Sequence, residues 1–138
     1  MTQQHKREVN ELVESAANVF ISSVDADGYP TAATITPSKT EGIRWIAIGN
    51  NRGSNWTKRS LACNRASVCY SADHPECNIT LVGTMDVLTD DLSLKQEMWS
   101  EWMSAYYSGP EDPSFIVLRF KTERYSLYID GMQVRGMV

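Results

Sequence analysis

Between Ile48 and Val68 the chain gathers its most chemically suggestive residues: Asn50, Asn51, Gly53, Ser54 and Thr57, then the basic pair Lys58 and Arg59, with Arg52 and Arg65 on either side. An apolar strand, Ile43 to Gly49, runs into this stretch, a polar turn follows, and a short helix to about Asn64 leaves it. Such an arrangement can receive an anion. The first turn of a helix carries N–H groups without intrahelical acceptors and a partial positive charge, so a phosphate is well placed there. Ser54 or Thr57 would add hydroxyl donors, Lys58 a full charge, and Gly53 would let the backbone come close. On local sequence alone the plainer reading is the commoner one: a serine capping an ordinary helix, with two basic residues facing water.

The scale of any ligand is bounded by composition. The chain has 138 residues, 42% hydrophobic and 22% charged, which suits one globular domain spanning 1–138. Its net charge of −4 argues against general affinity for nucleic acid, while the local basic spot remains compatible with one small phosphorylated ligand. No apolar run approaches the length of a membrane span, and Met-Thr-Gln-Gln-His-Lys-Arg-Glu leads into no signal-peptide core, so a cytoplasmic protein is expected. Cys63, Cys69 and Cys77 have no framework spacing. Cys69, His74 and Cys77 could suggest a metal, but a closed site wants a fourth ligand and the other histidine is His5, so no metal is expected and Cys69 is read as a small buried strand residue.

The elements that must position these residues read as mainly β. Val9, Leu12, Val13 and Ala16 make one face of an amphipathic helix from His5 to about Ala17. Asn18 to Asp25 and Pro30 to Thr36 form a hairpin around Asp25-Ala-Asp-Gly28, and Pro37 to Gly42 is a second turn. Ser67 to Ser71 is a strand, and in Asn78 to Leu88 the residues Ile79, Leu81, Gly83, Met85 and Val87 share a face, with Gly83 marking a bulge or bend. Asp90 or Asp91 caps a helix reaching about Tyr107, with Leu94, Met98, Trp102 and Tyr106 in one row, read as core or dimer contact. Phe115 to Lys121 and Arg124 to Ile129 would be two last strands joined by a very short turn. Seven strands with short connections predict a curled antiparallel sheet, a β-barrel with flanking helices, rather than βαβ units.

In this order of elements the chain resembles the pyridoxamine 5′-phosphate oxidase-like FMN-binding split β-barrel family, and within it the short general stress protein branch. The motif carrying the resemblance is Asn50-Asn51-Arg52-Gly53-Ser54, then Leu61 and Asn64, then Ser67-Val-Cys-Tyr70. The family pattern is Thr-Asn-x-Gly-Ser-x-Lys, so Asn50 stands where Thr is usual. The resemblance implies that Asn51 and Ser54 hold the flavin phosphate and ribityl chain. The family lysine falls on Trp56 counted from Ser54 and on Thr57 counted back from Leu61 and Asn64, with Lys58 the nearest basic side chain. The strand Pro30 to Ile35 corresponds to one that lays its backbone, here Ala33, Thr34 and Ile35, along the flavin. Ala33 occupies the position of an arginine in the oxidases proper, and Asn78, five residues before Gly83, that of a Gln reaching the isoalloxazine ring.

The resemblance thus implies an FMN cofactor and a homodimer with flavin sites between subunits. A flavin-dependent oxidoreductase of open substrate is the first functional expectation. The vitamin-forming oxidase itself is disfavoured by Ala33 and by the lack of a recognisable substrate-binding extension. A flavin carrier, sensor or sink without turnover is the alternative, and a deazaflavin or haem in the same pocket is a further one. No side chain announces itself as a catalytic acid or base, and His74 is read as a loop histidine.

Overall fold

Alternation of buried and exposed side chains runs through most of the strands, and the result is one antiparallel sheet. The computed structural model describes residues 1–73 and 76–138. Helix α1 (Gln3–Ser15) precedes β1 (Val19–Val24), β2 (Pro30–Ile35), β3 (Lys39–Glu41) and β4 (Trp45–Asn51). Helix α2 (Asn55–Ala62), β5 (Arg65–Asp73) and β6 (Glu76–Leu88) follow, then α3 (Leu92–Met98), a 3-10 turn (Glu101–Ala105), β7 (Phe115–Ile129) and β8 (Met132–Met137). The strand order is β2-β1-β5-β6-β7-β4-β3, with β8 on the far half of β7. Strands β2 and β3 end the order unpaired with each other, leaving the barrel split, and the helices flank it.

Two apolar clusters hold the sheet. Ile21, Val68, Ile79, Leu81, Phe120 and Leu127 form the larger, beneath Val9 and Val13 of α1. In the smaller, Ala47, Val117 and Phe115 pack with Met98 and Met103. Strand β4 is buried on both faces because Ile46 and Ile48 enter the first cluster and Ala47 the second, as its apolar run predicts.

Several boundaries differ from the sequence reading. Among the described residues there are eight strands, because β3 and β8 lie where a turn and a tail were expected. The two expected last strands are one, β7: both halves pair with β6, and the register shifts between Val82 and Gly83 instead of the chain reversing. Gly83 permits this, since a Cβ there would stand 1.8 Å from the Lys121 carbonyl oxygen. Arg44 and Ile43 lie in the turn before β4, where Arg44 N donates to Glu41 O.

The expected long helix to Tyr107 stops at Met98 and restarts as the 3-10 turn. The break lets Met98 and Met103, five positions apart and so on different sides of a continuous helix, enter the same cluster. Trp102 and Tyr106, expected as core or dimer contacts, are consequently 65% and 74% exposed in the single chain. His5, expected at the start of the first helix, is buried inside α1 and closes its capping box with Thr2.

Candidate functional site

The strand β4 delivers Gly49 and Asn50 to the rim of a cleft of about 680 Å³. Its first wall is Ile35 at the end of β2 with Thr36, Pro37 and Ser38 of the connection to β3, which is fixed to β4 by Ser38 N donating to Ala47 O. Its second wall comes from the broken helix: Met98, Trp102, Met103, Tyr106 and Tyr107, with Phe115 between them. Among the described residues none of the lining is Asp, Glu, Lys, Arg, His or Cys. Tyr107 stacks on Phe115 with ring centroids 5.2 Å apart, and Trp99 closes on the same ring at 5.7 Å. The cleft therefore offers flat, uncharged surface with backbone polar groups at one edge, which suits a planar ring system.

Beyond Asn50 the chain turns into α2 through a chain of local bonds. Asn51 accepts from Gly53 N on its side-chain oxygen at 2.9 Å, and its backbone carbonyl takes Ser54 N at 3.0 Å and the Thr57 hydroxyl at 2.9 Å. Ser54 caps the helix: its Oγ accepts from Thr57 N at 3.1 Å and donates to Thr57 Oγ1 at 3.0 Å. Asn55 and Trp56, the first two helical positions, keep N–H groups with no intrahelical acceptor. Arg52 turns away, its Nε donating to Pro113 O at 2.7 Å and its backbone N to Ser114 O.

The Asn51 side chain also lies within reach of the Tyr107 phenol, which links this turn to the aromatic wall. Burial pushes the Tyr107 phenol above its usual pKa, and Asp112 adds to the effect, while the Asn51 amide opposes it. Asp112 itself is held below the ordinary carboxylate range by the backbone N–H groups of Ser108 and Ser114, which fixes the loop beneath Tyr107.

The residues singled out from sequence fall into three places. Ile35 and Asn50 meet in the cleft, with Ala33 half-buried and Thr34 exposed farther along β2. Asn51, Ser54 and Thr57 form the bonded turn, Thr57 fully buried and Lys58 exposed one position on. Asn78 lies elsewhere, half-buried on β6 opposite Ser71 and Tyr128. Leu88, ten residues along β6 from Asn78, is level with Val117 and Gly49, so Asn78 is roughly 30 Å of strand away from this chain's cleft. His74 lies outside the described residues. Among the described residues no group of His, Cys, Asp and Glu is placed to hold a metal ion, and the three cysteines are free thiols, Cys69 half-buried and Cys77 buried.

Comparison with known proteins decides the family. The sequence matches the family described as pyridoxamine 5′-phosphate oxidase over residues 5–128. The chain belongs to that family. No curated protein matches it. Among solved structures it is similar to a Clostridium acetobutylicum protein related to general stress protein 26 of Bacillus subtilis, of the same oxidase family, with 24% identity, TM-score 0.84, and coverage of 100% of this chain and 97% of that one. A pyridoxamine 5′-phosphate oxidase-related, FMN-binding protein from Nostoc punctiforme shares 11% identity at TM-score 0.72, covering 98% and 93%. A heme-binding protein from Mycobacterium smegmatis shares 15% at TM-score 0.76, covering 99% of this chain and 59% of that one. At these identities the likenesses establish the pyridoxamine 5′-phosphate oxidase-like split barrel, and the cofactor has to be argued from the site.

The sequence reading missed Tyr107 and Phe115 as cleft residues. Their signal was present in Gly109-Pro-Glu-Asp-Pro113, which stops the aromatic segment immediately beside β4. What spacing could not show is the break at Trp99 that turns the aromatic row outward.

Proposed function

We propose that this chain binds FMN, with the isoalloxazine ring in the cleft and the phosphate at the N-terminus of α2. The observation carrying the reading is the continuity of two unlike surfaces: a charge-free aromatic cleft ends at Asn50, and a capped helix start with free N–H groups begins four residues later at Ser54. A ligand with a flat uncharged ring at one end and a phosphate at the other matches both. Family membership and the FMN-binding relative support the same choice.

In this reading the N–H groups of Asn55 and Trp56 and the Ser54 hydroxyl receive the phosphate. Lys58, exposed on the first turn of α2, neutralises it from the side, while buried Thr57 fixes the turn rather than touching the ligand. The backbone around Ile35 and that of Gly49 and Asn50 hold the ring edge, with Ala33 and Thr34 continuing the same strand. FMN supplies the redox chemistry when bound, and the protein orients it and restricts access. The chain then acts as a flavin-dependent oxidoreductase. A haem in this cleft would have to take its axial ligand from Met98, Met103, Tyr106 or Tyr107, since among the described residues the lining contains neither His nor Cys.

The deciding experiment is an absorbance spectrum of freshly purified protein, followed by titration of the apoprotein with FMN and then anaerobic addition of NADH or NADPH. Oxidised-flavin bands or saturable FMN binding are expected, with bleaching by one of the reductants. A Soret band, or no FMN binding, overturns the cofactor. Tight binding without cycling under any donor and acceptor tried leaves a flavin carrier or sensor in place of the enzyme.

A further inference from the structure

Lys95 is an unusual lysine. It sits in α3 with only 4% of its surface exposed, yet among the described residues its ammonium makes no hydrogen bond and no ion pair. The one interaction it has is with the Phe115 ring, whose centroid is 6.0 Å away. The stem is buried along α3, while the ammonium is not among the buried polar atoms without a partner and so keeps access to solvent, with the aromatic face a weak neighbour.

Lys95 lines a separate cavity of about 230 Å³ together with Arg52, Thr89, Asp90, Leu92, Glu111 and Pro113. Arg52 commits its Nε to Pro113 O, and the rest of its guanidinium fork has no partner among the described residues. Two carboxylates share the cavity without touching either cation. Asp90 accepts the Thr89 hydroxyl at 3.2 Å, and the Glu111 carboxylate is folded back against Gly109, within 3.0 Å of where a Cβ would stand. Among the described residues neither forms an ion pair with Lys95 or Arg52.

We propose that this cavity binds a small phosphate-type oxyanion between the Lys95 ammonium and the Arg52 guanidinium. A planar donor fork and a point charge lining one cavity are both groups that phosphate oxygens accept from. Asp90 and Glu111 on the wall repel further negative charge, which limits the ligand to a small anion rather than an extended polyanion. The site is distinct from the helix start at Ser54, because Arg52 directs its side chain to the Pro113 loop, and it does not depend on the flavin reading.

The test uses the full chain and inorganic phosphate, titrated by calorimetry with and without excess FMN. Wild-type protein is expected to bind phosphate whether or not FMN is present. Lys95→Met, which keeps the buried stem, is expected to weaken phosphate at least about tenfold, and Glu111→Gln, which removes a repulsive charge, to tighten it about twofold or more. Absence of phosphate binding at millimolar concentration, or binding that Lys95→Met leaves unchanged, overturns the proposal. Should Lys95→Met fail to fold, Glu111→Gln decides alone, and no tightening overturns it.

Discussion

Ser54 serves two purposes that substitution can separate. As a cap it binds Thr57 N, and its loss in Ser54→Ala should cost the apoprotein about 0.5–2 kcal/mol in denaturant unfolding. As a proposed phosphate donor, its loss should weaken FMN by about 1.5–3 kcal/mol, roughly ten- to a hundredfold. Ser54→Asp keeps a good cap but places a carboxylate against the phosphate, so the apoprotein should retain its stability and lose FMN further. FMN affinity unchanged in both variants would move the phosphate elsewhere. Tyr70 tests the core in the same way. Its hydroxyl is buried without a partner, and burial raises the phenol to about 12 from 10.0. With the folded pKa above the unfolded one, the unfolded chain loses its proton first as pH rises. Stability is therefore full below pH 10 and declines between about 10 and 12. Tyr70→Phe should remove this alkaline decline and raise stability by about 1 kcal/mol at neutral pH, because no hydrogen bond is sacrificed. A destabilised Tyr70→Phe in urea titrations would reveal a partner for the hydroxyl. Such residues were legible unevenly: Ser54 announced itself as a cap from its neighbours, whereas nothing local to Tyr70 says that its hydroxyl is orphaned.

At the scale of elements, periodicity served where one face is buried and failed where the backbone changes course. The alternation through β6 is in the sequence as written, and Gly83 marked the bend correctly. The partner of that bend was misread: Thr122 and Glu123 look like a turn between strands, but Thr122 N donates to Arg44 O and its hydroxyl to Ile43 O, so the chain carries on across the sheet. Gly83→Ala should therefore be severe, destabilising by about 3 kcal/mol or more, since a Cβ 1.8 Å from the Lys121 carbonyl oxygen forces backbone to move in both strands. A thermal midpoint shift of only a degree or two would mean that the bulge can relax at little cost. Strand β8 had a readable signal that periodicity alone passes over. Asp130 and Gly131, at φ 53° and 71°, form the two-residue turn that Asp-Gly favours between antiparallel strands. Helix α3 illustrates the opposite case, because the residues that break it, Trp99 and Ser100, are no helix breakers. Packing of Met98 and Met103 into one cluster decides the break, and packing is invisible to a helical row read from spacing.

At the scale of the whole molecule, a single chain leaves apolar surface open beside its candidate site. Trp102 and Tyr106 stand exposed at the cleft mouth, Phe20 is 53% exposed on the outer face of the sheet, and Asn78 lies on that outer face too far along β6 to reach the cleft of its own chain. If Asn78 contacts the flavin ring, as the family resemblance implies, it does so from a second copy, and the two sites of a homodimer are then each built from both chains. Dimerisation and FMN binding must in that case be linked: whatever binds only the dimer stabilises it, and dilution that dissociates the dimer lowers the apparent FMN affinity. Light scattering should give about twice the 15.5 kDa of one chain when FMN is bound, and FMN titrations at decreasing protein concentration should show weakening affinity once dimers dissociate. Asn78→Ala should weaken FMN by about 1 kcal/mol without lowering the stability of the apoprotein. Phe20→Glu, if this face packs against the second copy, should lower both the mass and the FMN affinity together. A monomer at all concentrations that binds FMN with constant affinity would confine the site to one chain and leave Asn78 without a role in it.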